Sequence, residues 1–451
     1  MRVAVVGGGV TGLSVARELV RRGRAVTLFA KGQVGGLAGG FPYPDCPGVY
    51  LDRFYHHIFT SDTALVDLIQ EHGLEDDLLW LPSKSGLIAQ GRLWPFAGAL
   101  DLLRFSPLGS LPQRMLMGWN LLRIKQCSDW RRLDSVRCRE FFERRGNLAG
   151  YRNLWEPLLK QKFADAFDDI PAAFLWGRLC PRAGSRSRAR ECLGYLKGGF
   201  QRLFLRMKEA ITAGGGEVRT GSPVRRFRAG ERPEIVSPRG GGRFDRVVWT
   251  ASLEELLAAV CDPPAEFARQ VEAIEYVAVT QLILVMKRRQ TDYYWLNNID
   301  PEHTFGGIIE HTNLASPDDY GGEHILYVVN YHRRGDPQFR GQTAATLLDY
   351  HLPSLKRTLP GFSCEDIVRL HAIRATYSSP LYDLGYGQRM PPYQGWLPNV
   401  DLCTQAQVYP RDRNMSHCAE NALRYVNEVY GGGSAARPTR GAPGIRQSRS
   451  C

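Results

Sequence analysis

Residues 1–30 read Met1-Arg2-Val3-Ala4-Val5-Val6-Gly7-Gly8-Gly9-Val10-Thr11-Gly12, then a stretch over Leu13–Arg22, then Ala25-Val26-Thr27-Leu28-Phe29-Ala30. Val3–Val6 is a continuous apolar run, as expected of a strand in a parallel sheet covered on both faces. Gly7, Gly9 and Gly12 fit G-x-G-x-x-G between a predicted strand and a predicted helix, the context that gives this motif its weight. Gly7 permits the tight turn, Gly9 lets backbone approach a pyrophosphate, and Gly12 lets the helix pack closely on the strand. A helix over Leu13–Arg22 aims its first amides and the positive end of its dipole at the phosphates. Val10 and Thr11, between the last two glycines, are candidate cofactor contacts with them. Ala25–Phe29 is the second strand.

The acid that closes this second strand in dinucleotide folds, and accepts hydrogen bonds from the adenosine ribose, is absent. The strand ends Phe29-Ala30-Lys31, and the next acid, Asp45, lies well past it. Lys31 would suit a 2′-phosphate, but Gly35-Gly36-Leu37-Ala38-Gly39-Gly40 argues against a nicotinamide-only domain, in which a second glycine cluster is not expected.

That cluster resembles the paired-glycine element of the FAD-dependent amine oxidase, phytoene desaturase and protoporphyrinogen oxidase superfamily, which also contains UDP-galactopyranose mutase. The resemblance implies that Gly35, Gly36, Leu37 and Ala38 lie along the FAD pyrophosphate and ribityl chain. Asp52-Arg53-Phe54-Tyr55-His56-His57-Ile58-Phe59-Thr60-Ser61 resembles the following segment of the protoporphyrinogen-oxidase-like branch. It is also similar to the His-Ile-Phe element that lies near the isoalloxazine in the mutase. Trp155-Glu156-Pro157-Leu158-Leu159 with Lys162-Phe163 resembles the helical substrate region. The resemblance further implies a backbone contact of Val224 with the adenine. It also implies a closing strand, a Gly-Asp or Gly-Glu pair and a helix aimed at the flavin. Here Thr404-Gln405 stands in place of the pair, and Met415–Val429 keeps a helical pattern, so Thr404 and Met415 complete the candidate cofactor contacts. Tyr409-Pro410-Arg411-Asp412-Arg413 resembles the ending of the sugar-cluster members of the branch.

The fold class expected is α/β: a Rossmann-like FAD-binding domain, discontinuous in sequence, with an inserted α+β substrate domain. Residues 1–61, 191–262 and 385–430 form the first, and 62–190 (mostly helical) and 263–384 (with strands over 270–335) the second. The Gly/Ser/Pro-rich stretch 431–451 reads as a disordered tail.

Composition constrains the partners. The chain has 451 residues, 43% hydrophobic and 23% charged, enough for a large core. Its net charge of +12 favours anionic partners such as phosphates, nucleotides or acidic lipid. No nucleic-acid-reading motif accompanies it, so nucleic acid is not an expected partner. The ten cysteines include no C-x-x-C pair, which argues against a metal site and for a reducing, cytoplasmic setting. No stretch reaches the roughly 20 apolar residues needed to span a bilayer, and the N-terminus, broken by glycines, is not expected to be a signal peptide. Residues 94–124 alternate large apolar side chains with arginines. Two readings stand: a buried helical subdomain, or peripheral contact with a membrane.

A flavin brings its own redox chemistry, so no catalytic triad is needed. Adjacent His56 and His57 in a strand point to opposite faces. His57, preceding Ile-Phe, is the candidate catalytic residue, with Arg53 as a contact for an anionic substrate. Glu310-His311-Thr312-Asn313 is either a self-capped loop or a contact with a sugar-like substrate. Asp412-Arg413 reads as an ion pair. The leading expectation is an FAD-dependent oxidoreductase abstracting hydride from a small organic substrate. A mutase-like non-redox isomerase acting on a nucleotide sugar, and a catalytically silent flavin-binding homologue, are the alternatives. Losing one charged hydrogen bond costs about 1.5–3 kcal/mol, or roughly ten- to a hundredfold in affinity, so flavin binding is expected to survive, weakened.

Overall fold

A computed structural model describes residues 1–182, 186–187 and 190–431 of the chain; most of the segment read as a tail lies outside the described residues. The opening motif folds as read. Arg2–Val6 (β1) is followed by helix Val10–Arg21 (α1) and strand Ala25–Phe29 (β2). The helix starts three residues earlier than its apolar pattern suggested, because Gly9 is extended and already serves as its N-cap. Val3, Ala4 and Val5 are wholly buried, since β1 pairs in parallel with β2 on one side and Arg246–Trp249 on the other. Glu217–Arg219 and Val400–Leu402 complete a five-stranded sheet whose pairings are all parallel. Its strands come from three distant parts of the chain, so the sheet is discontinuous in sequence.

The second sheet is mixed and has seven strands, in the order Ile367–Pro380, Tyr276–Met286, His324–Arg333, Gly307–Glu310, Trp295–Asn298, Ser85–Ala89 and Arg92–Pro95. Tyr276–Met286, whose eleven residues are all buried, pairs antiparallel on both sides. That explains its unbroken apolar run, where an exposed face would have imposed alternation. One face of the sheet is covered by helix Ala344–Thr358, through Leu347 and Leu355 against Leu282, Leu284 and Leu326. The other face, through Val279, Ile283, Ile325 and Tyr327, joins the core built on α1.

Three expectations need correction. The 62–190 stretch is mainly helical but contains strands Leu78–Ser83, Ser85–Ala89 and Arg92–Pro95. Ser85–Ala89 is held by Trp295–Asn298, more than 200 residues away in sequence, a pairing that no local pattern reveals. The apolar pattern of Val224–Phe227 reads as a short strand, but the strand begins only at Arg226, so Val224 sits half-buried in the loop before it. Residues 53–57 are not a strand, so alternation does not separate the two histidines. Their different neighbours do.

Candidate active site

The nucleotide end is made almost wholly of backbone. A Cβ at Gly12 would lie 1.9 Å from the carbonyl oxygen of Gly7, so only glycine lets α1 approach β1 this closely. The second glycine loop docks on the first: the Gly35 amide donates to the Gly8 carbonyl at 2.7 Å, and Gly9 bridges Gly35. Gly36 has φ +58, and a Cβ there would meet Gly9 Cα at 3.0 Å. A Cβ at Gly9 would meet nothing nearer than Gly36 Cα, 4.0 Å away. Two backbone turns therefore face each other with open space beside Gly9. Leu37 and Ala38 lie in the short turn that follows, Ala38 buried.

Buried Gln201 locks this loop. Its Nε2 donates to the Val34 carbonyl (3.0 Å), and its Oε1 accepts the Gly40 amide (3.1 Å). Thr250 braces the first turn by donating to the Val6 carbonyl at 3.0 Å. Both residues were missed from sequence. For Gln201 the available signal was its place directly after Gly198-Gly199-Phe200 at a helix start.

Two helix N-termini converge here. Thr11, in the first turn of α1, lies beside Cys418, in the first turn of helix Met415–Tyr430, and draws the thiol pKa down against the upward push of burial. Neither first turn holds an acid, and Gly9 gives α1 no side-chain cap. The first-turn amides and positive dipole end of α1 are thus left for an anion. At Met415–Tyr430, Asn414 caps by accepting the His417 amide (2.8 Å), while its Nδ2 donates to buried Asp62 (2.8 Å). Met415 is buried at the helix start.

Where the two acids are missing, the chain closes on itself. The Ala30 amide donates to the Arg219 carbonyl (2.9 Å) and its carbonyl accepts the Ser222 amide (2.8 Å). Its methyl group faces Gly8. Lys31 pairs with Glu255 on the surface. Thr404 spends its groups locally, accepting the Ala406 amide (3.1 Å) and donating its own amide to Gln407 (2.6 Å).

The second half of the site is the loop from Asp52 to Ser61, fastened to the seven-stranded sheet. Tyr327 donates to the Asp52 carbonyl (2.9 Å) and Gln281 to the Arg53 carbonyl (3.1 Å). Asp52 itself is fully buried, and burial lifts its carboxyl to about 7 against hydrogen bonds from the Tyr195 hydroxyl and the Phe200 amide. His56 rests against the Phe54 carbonyl through Nδ1 at 2.7 Å. A carbonyl only accepts, so Nδ1 carries the proton. Burial pulls the imidazole down to about 4, leaving it neutral near pH 7. His57 differs. Its Nδ1 is 3.2 Å from the Tyr294 hydroxyl, and its ring meets Phe59, Tyr294 and Trp295 edge-on. Trp295 also meets Tyr55, whose hydroxyl is 3.3 Å from that of Tyr331.

The candidate Arg53 is half-buried and forms no ion pair among the described residues. Arg413 is not paired with Asp412, as its sequence position suggested. Asp412 accepts from Arg178 at 3.1 Å, while Arg413 donates to Ser378 at 3.0 Å with its Nε buried and unpartnered. The positive charge of Arg413 is felt by both Tyr55 and His56. Glu310–Asn313 is bound mainly to its surroundings: Glu310 accepts from Gln290 and Thr312, and buried His311 bonds Tyr320 through Nε2 while its Nδ1 is buried without a partner among the described residues.

A parallel sheet with a glycine cradle, an anion-ready helix end and an aromatic second wall defines a dinucleotide-binding flavoprotein. Residues 10–378 match the model of the flavin containing amine oxidoreductases, and the chain belongs to that family. It is an FAD-dependent oxidoreductase. Over 188 residues the chain is 30% identical to a carotenoid phi-ring synthase of Streptomyces griseus, covering 36% of this chain and 35% of that protein. The match thus spans about a third of the length of that curated relative. Solved structures share the fold. A protein from Exiguobacterium sp. 255-15 designated a protoporphyrinogen oxidase is 18% identical, with TM-score 0.73 over 95% of this chain and 98% of that one. A reduced UDP-galactopyranose mutase is 15% identical, with TM-score 0.72 over 95% of each chain. A putrescine oxidase variant is 16% identical, with TM-score 0.70 over 95% of this chain and 99% of that one.

The residues present fit FAD. The cradle at Gly9 and Gly36 leaves room that a Cβ at Gly36 would narrow, and the uncapped first turn of α1 suits a pyrophosphate. No helix among the described residues is long and apolar enough to cross a membrane.

Proposed function

We propose that the protein dehydrogenates a small organic substrate carrying a polar or anionic group, breaking a C–H bond and leaving a C=N or C=C bond. Bound FAD supplies the hydride acceptor, and dioxygen or a quinone takes the electrons onward. Gly7, Gly9, Val10, Thr11, Gly12 and Gly35–Ala38 would hold the pyrophosphate side, Val224 the adenine, and Thr404 and Met415 the flavin end. The observation that carries the reading is the frame around His57, where Phe59, Tyr294 and Trp295 surround one imidazole on the loop leading away from the cradle. Such a frame orients a flat substrate and excludes water, and His57 can hold the proton that leaves when the double bond forms. Arg53 and Arg413 would receive the anionic group. The fold shared with a putrescine oxidase supports C–N oxidation, and the partial match to a carotenoid phi-ring synthase supports C–C oxidation.

The test is anaerobic. FAD-loaded protein is mixed with panels of amines, amino acids and conjugated hydrocarbons, and loss of the oxidised-flavin visible band is followed. Bleaching by one class identifies the reaction. Arg413→Met should then raise KM by roughly tenfold, the worth of a charged hydrogen bond, with kcat retained. Conversion of a UDP-hexose only after chemical reduction would replace this reading with the isomerase one. Neither activity would leave a silent flavoprotein.

A further inference from the structure

Helices Ala99–Arg104 and Leu111–Lys125 present a face left exposed among the described residues. Met117, Asn120 and Ile124 point the longer helix inward, while Leu111, Met115, Trp119 and Leu122 share the opposite side and are 48–59% exposed. A helix that is apolar on both faces normally lies inside a protein. This one is at the surface. The shorter helix packs on it at Gly118, where a Cβ would lie 3.6 Å from Leu102, and adds exposed Leu100 and Leu103. These six side chains are more than half of the ten exposed large hydrophobics among the described residues, so the exposure is clustered rather than scattered.

The charges around the patch are of one sign. Between residues 92 and 126 the only acid is Asp101, and its carboxylate is taken by the amides of Ala97 and Gly98. Arg104, Arg123 and Lys125 are exposed and form no ion pair among the described residues. Arg123 lies over the Trp119 ring, 5.4 Å from its centroid. An indole with a cation over its face fits the boundary between acyl chains and headgroups.

We propose that this face rests in the surface of an anionic lipid bilayer. Leu100, Leu103, Leu111, Met115 and Leu122 would enter the outer acyl region, with Arg104, Arg123 and Lys125 against lipid phosphates. A symmetric contact with a second copy fits less well, because it would bring the same unpaired cations together.

The experiment uses the full-length, FAD-loaded protein and co-sedimentation with large vesicles. One set is phosphatidylcholine alone and the other contains phosphatidylglycerol as well. Binding to the anionic vesicles is expected to exceed binding to the neutral ones. Leu111→Glu with Leu122→Glu should lower it at least tenfold, and Arg123→Gln with Lys125→Gln by roughly fivefold per cation removed. The substituted positions are exposed, and a retained flavin band in the sedimented or free protein shows that each variant has folded. The reading is independent of turnover, so it stands or falls apart from the proposed reaction. Absence of vesicle binding overturns it, as does binding unchanged by the glutamates. A dimer in sedimentation velocity that the glutamates dissociate, without vesicle binding, overturns it in favour of self-association.

Discussion

Replacing Ala30 by glutamate should tighten FAD binding, although the chain folds without it. Residue 30 has a fixed place: its amide and carbonyl are both held by the strand end at 219–222, at 2.9 and 2.8 Å. Its side chain issues beside Gly8 of the cradle, 2.6 Å from where a Cβ on Gly8 would stand. A carboxylate here would accept from ribose hydroxyls, as the acid of a dinucleotide fold does. A charged hydrogen bond of this kind contributes about 1.5–3 kcal/mol, or roughly ten- to a hundredfold in Kd. Without ligand the same carboxylate sits where Ala30 is 1% exposed, so it costs desolvation energy that only the nucleotide offsets. Two opposite shifts are therefore expected: a lower Tm for the apoprotein and a larger rise in Tm on adding FAD. Fluorescence titration of apoprotein with FAD gives Kd directly. A Kd that is unchanged or weaker, with circular dichroism intact, would refute the reasoning, because the ribose would then be held away from residue 30.

Gly36→Ala places a Cβ 3.0 Å from Gly9 Cα at φ +58; with about 1–2 kcal/mol of left-handed strain, it should lower FAD content in purified protein at least severalfold. Gln201→Ala strips the Val34 carbonyl and Gly40 amide of their buried partners; about 1–3 kcal/mol for each group left unsatisfied should appear as a lower midpoint in urea, and an unchanged midpoint would show that water replaces the side chain. Burial raises the folded-state pKa of Asp52 to about 7, above its unfolded value, so stability is highest below the ordinary carboxylate range and falls as pH rises through about 7. The full cost is about 4 kcal/mol; Asp52→Asn should flatten the urea midpoint between pH 5 and 8, and parallel curves for the two proteins would remove Asp52 as the cause. The dissociation rate of FAD should change little with salt while the association rate falls, because the cradle is buried dipole and the chain carries net charge +12; stopped-flow measurements at low and high salt separate the two rates.

What was legible in the sequence was local. The β1–α1–β2 unit is contiguous, and its glycines are demanded by contacts inside the motif, so the reading of residues 1–30 matches the fold nearly residue by residue. The strands over 78–95 escaped because their partners lie in 190–196 and 295–298, and only those partners make them strands. Adjacency also misled at Asp412-Arg413: the carboxylate reaches Arg178, 234 residues away in sequence, and leaves the guanidinium of Arg413 to turn to Ser378. Gln201 and Thr250 went unnoticed because a glutamine and a threonine carry no motif. Their importance comes from the backbone groups the fold places within their reach. His56 and His57 could be named but not told apart until their neighbours were known: a carbonyl for one, a hydroxyl within an aromatic frame for the other.

The two missing acids and the glycine cradle belong to one physical arrangement. A pyrophosphate is doubly negative, and a carboxylate near it helps only by reaching past the phosphates to a ribose or ribityl hydroxyl; electrostatically it opposes them. Here the N-termini of α1 and of Met415–Tyr430 meet at Thr11 and Cys418 with no acid in either first turn. Each contributes roughly half a positive charge; that of α1 has no acid in its first turn, whereas that of Met415–Tyr430 is partly offset by buried Asp62 on its N-cap Asn414. At residue 404, where an acid would stand, the side chain caps its own turn and keeps the backbone rigid at no charge cost. At residue 30 the backbone is pinned by the neighbouring strand rather than by a ligand contact. On the proposed placing of FAD, the chain would give up hydrogen bonds to the sugar hydroxyls and keep the attraction of the α1 amides for the phosphates. Its hold on FAD would then rest on the position of backbone amides, and for that reason on Gln201, Thr250 and the glycines that keep those amides in place.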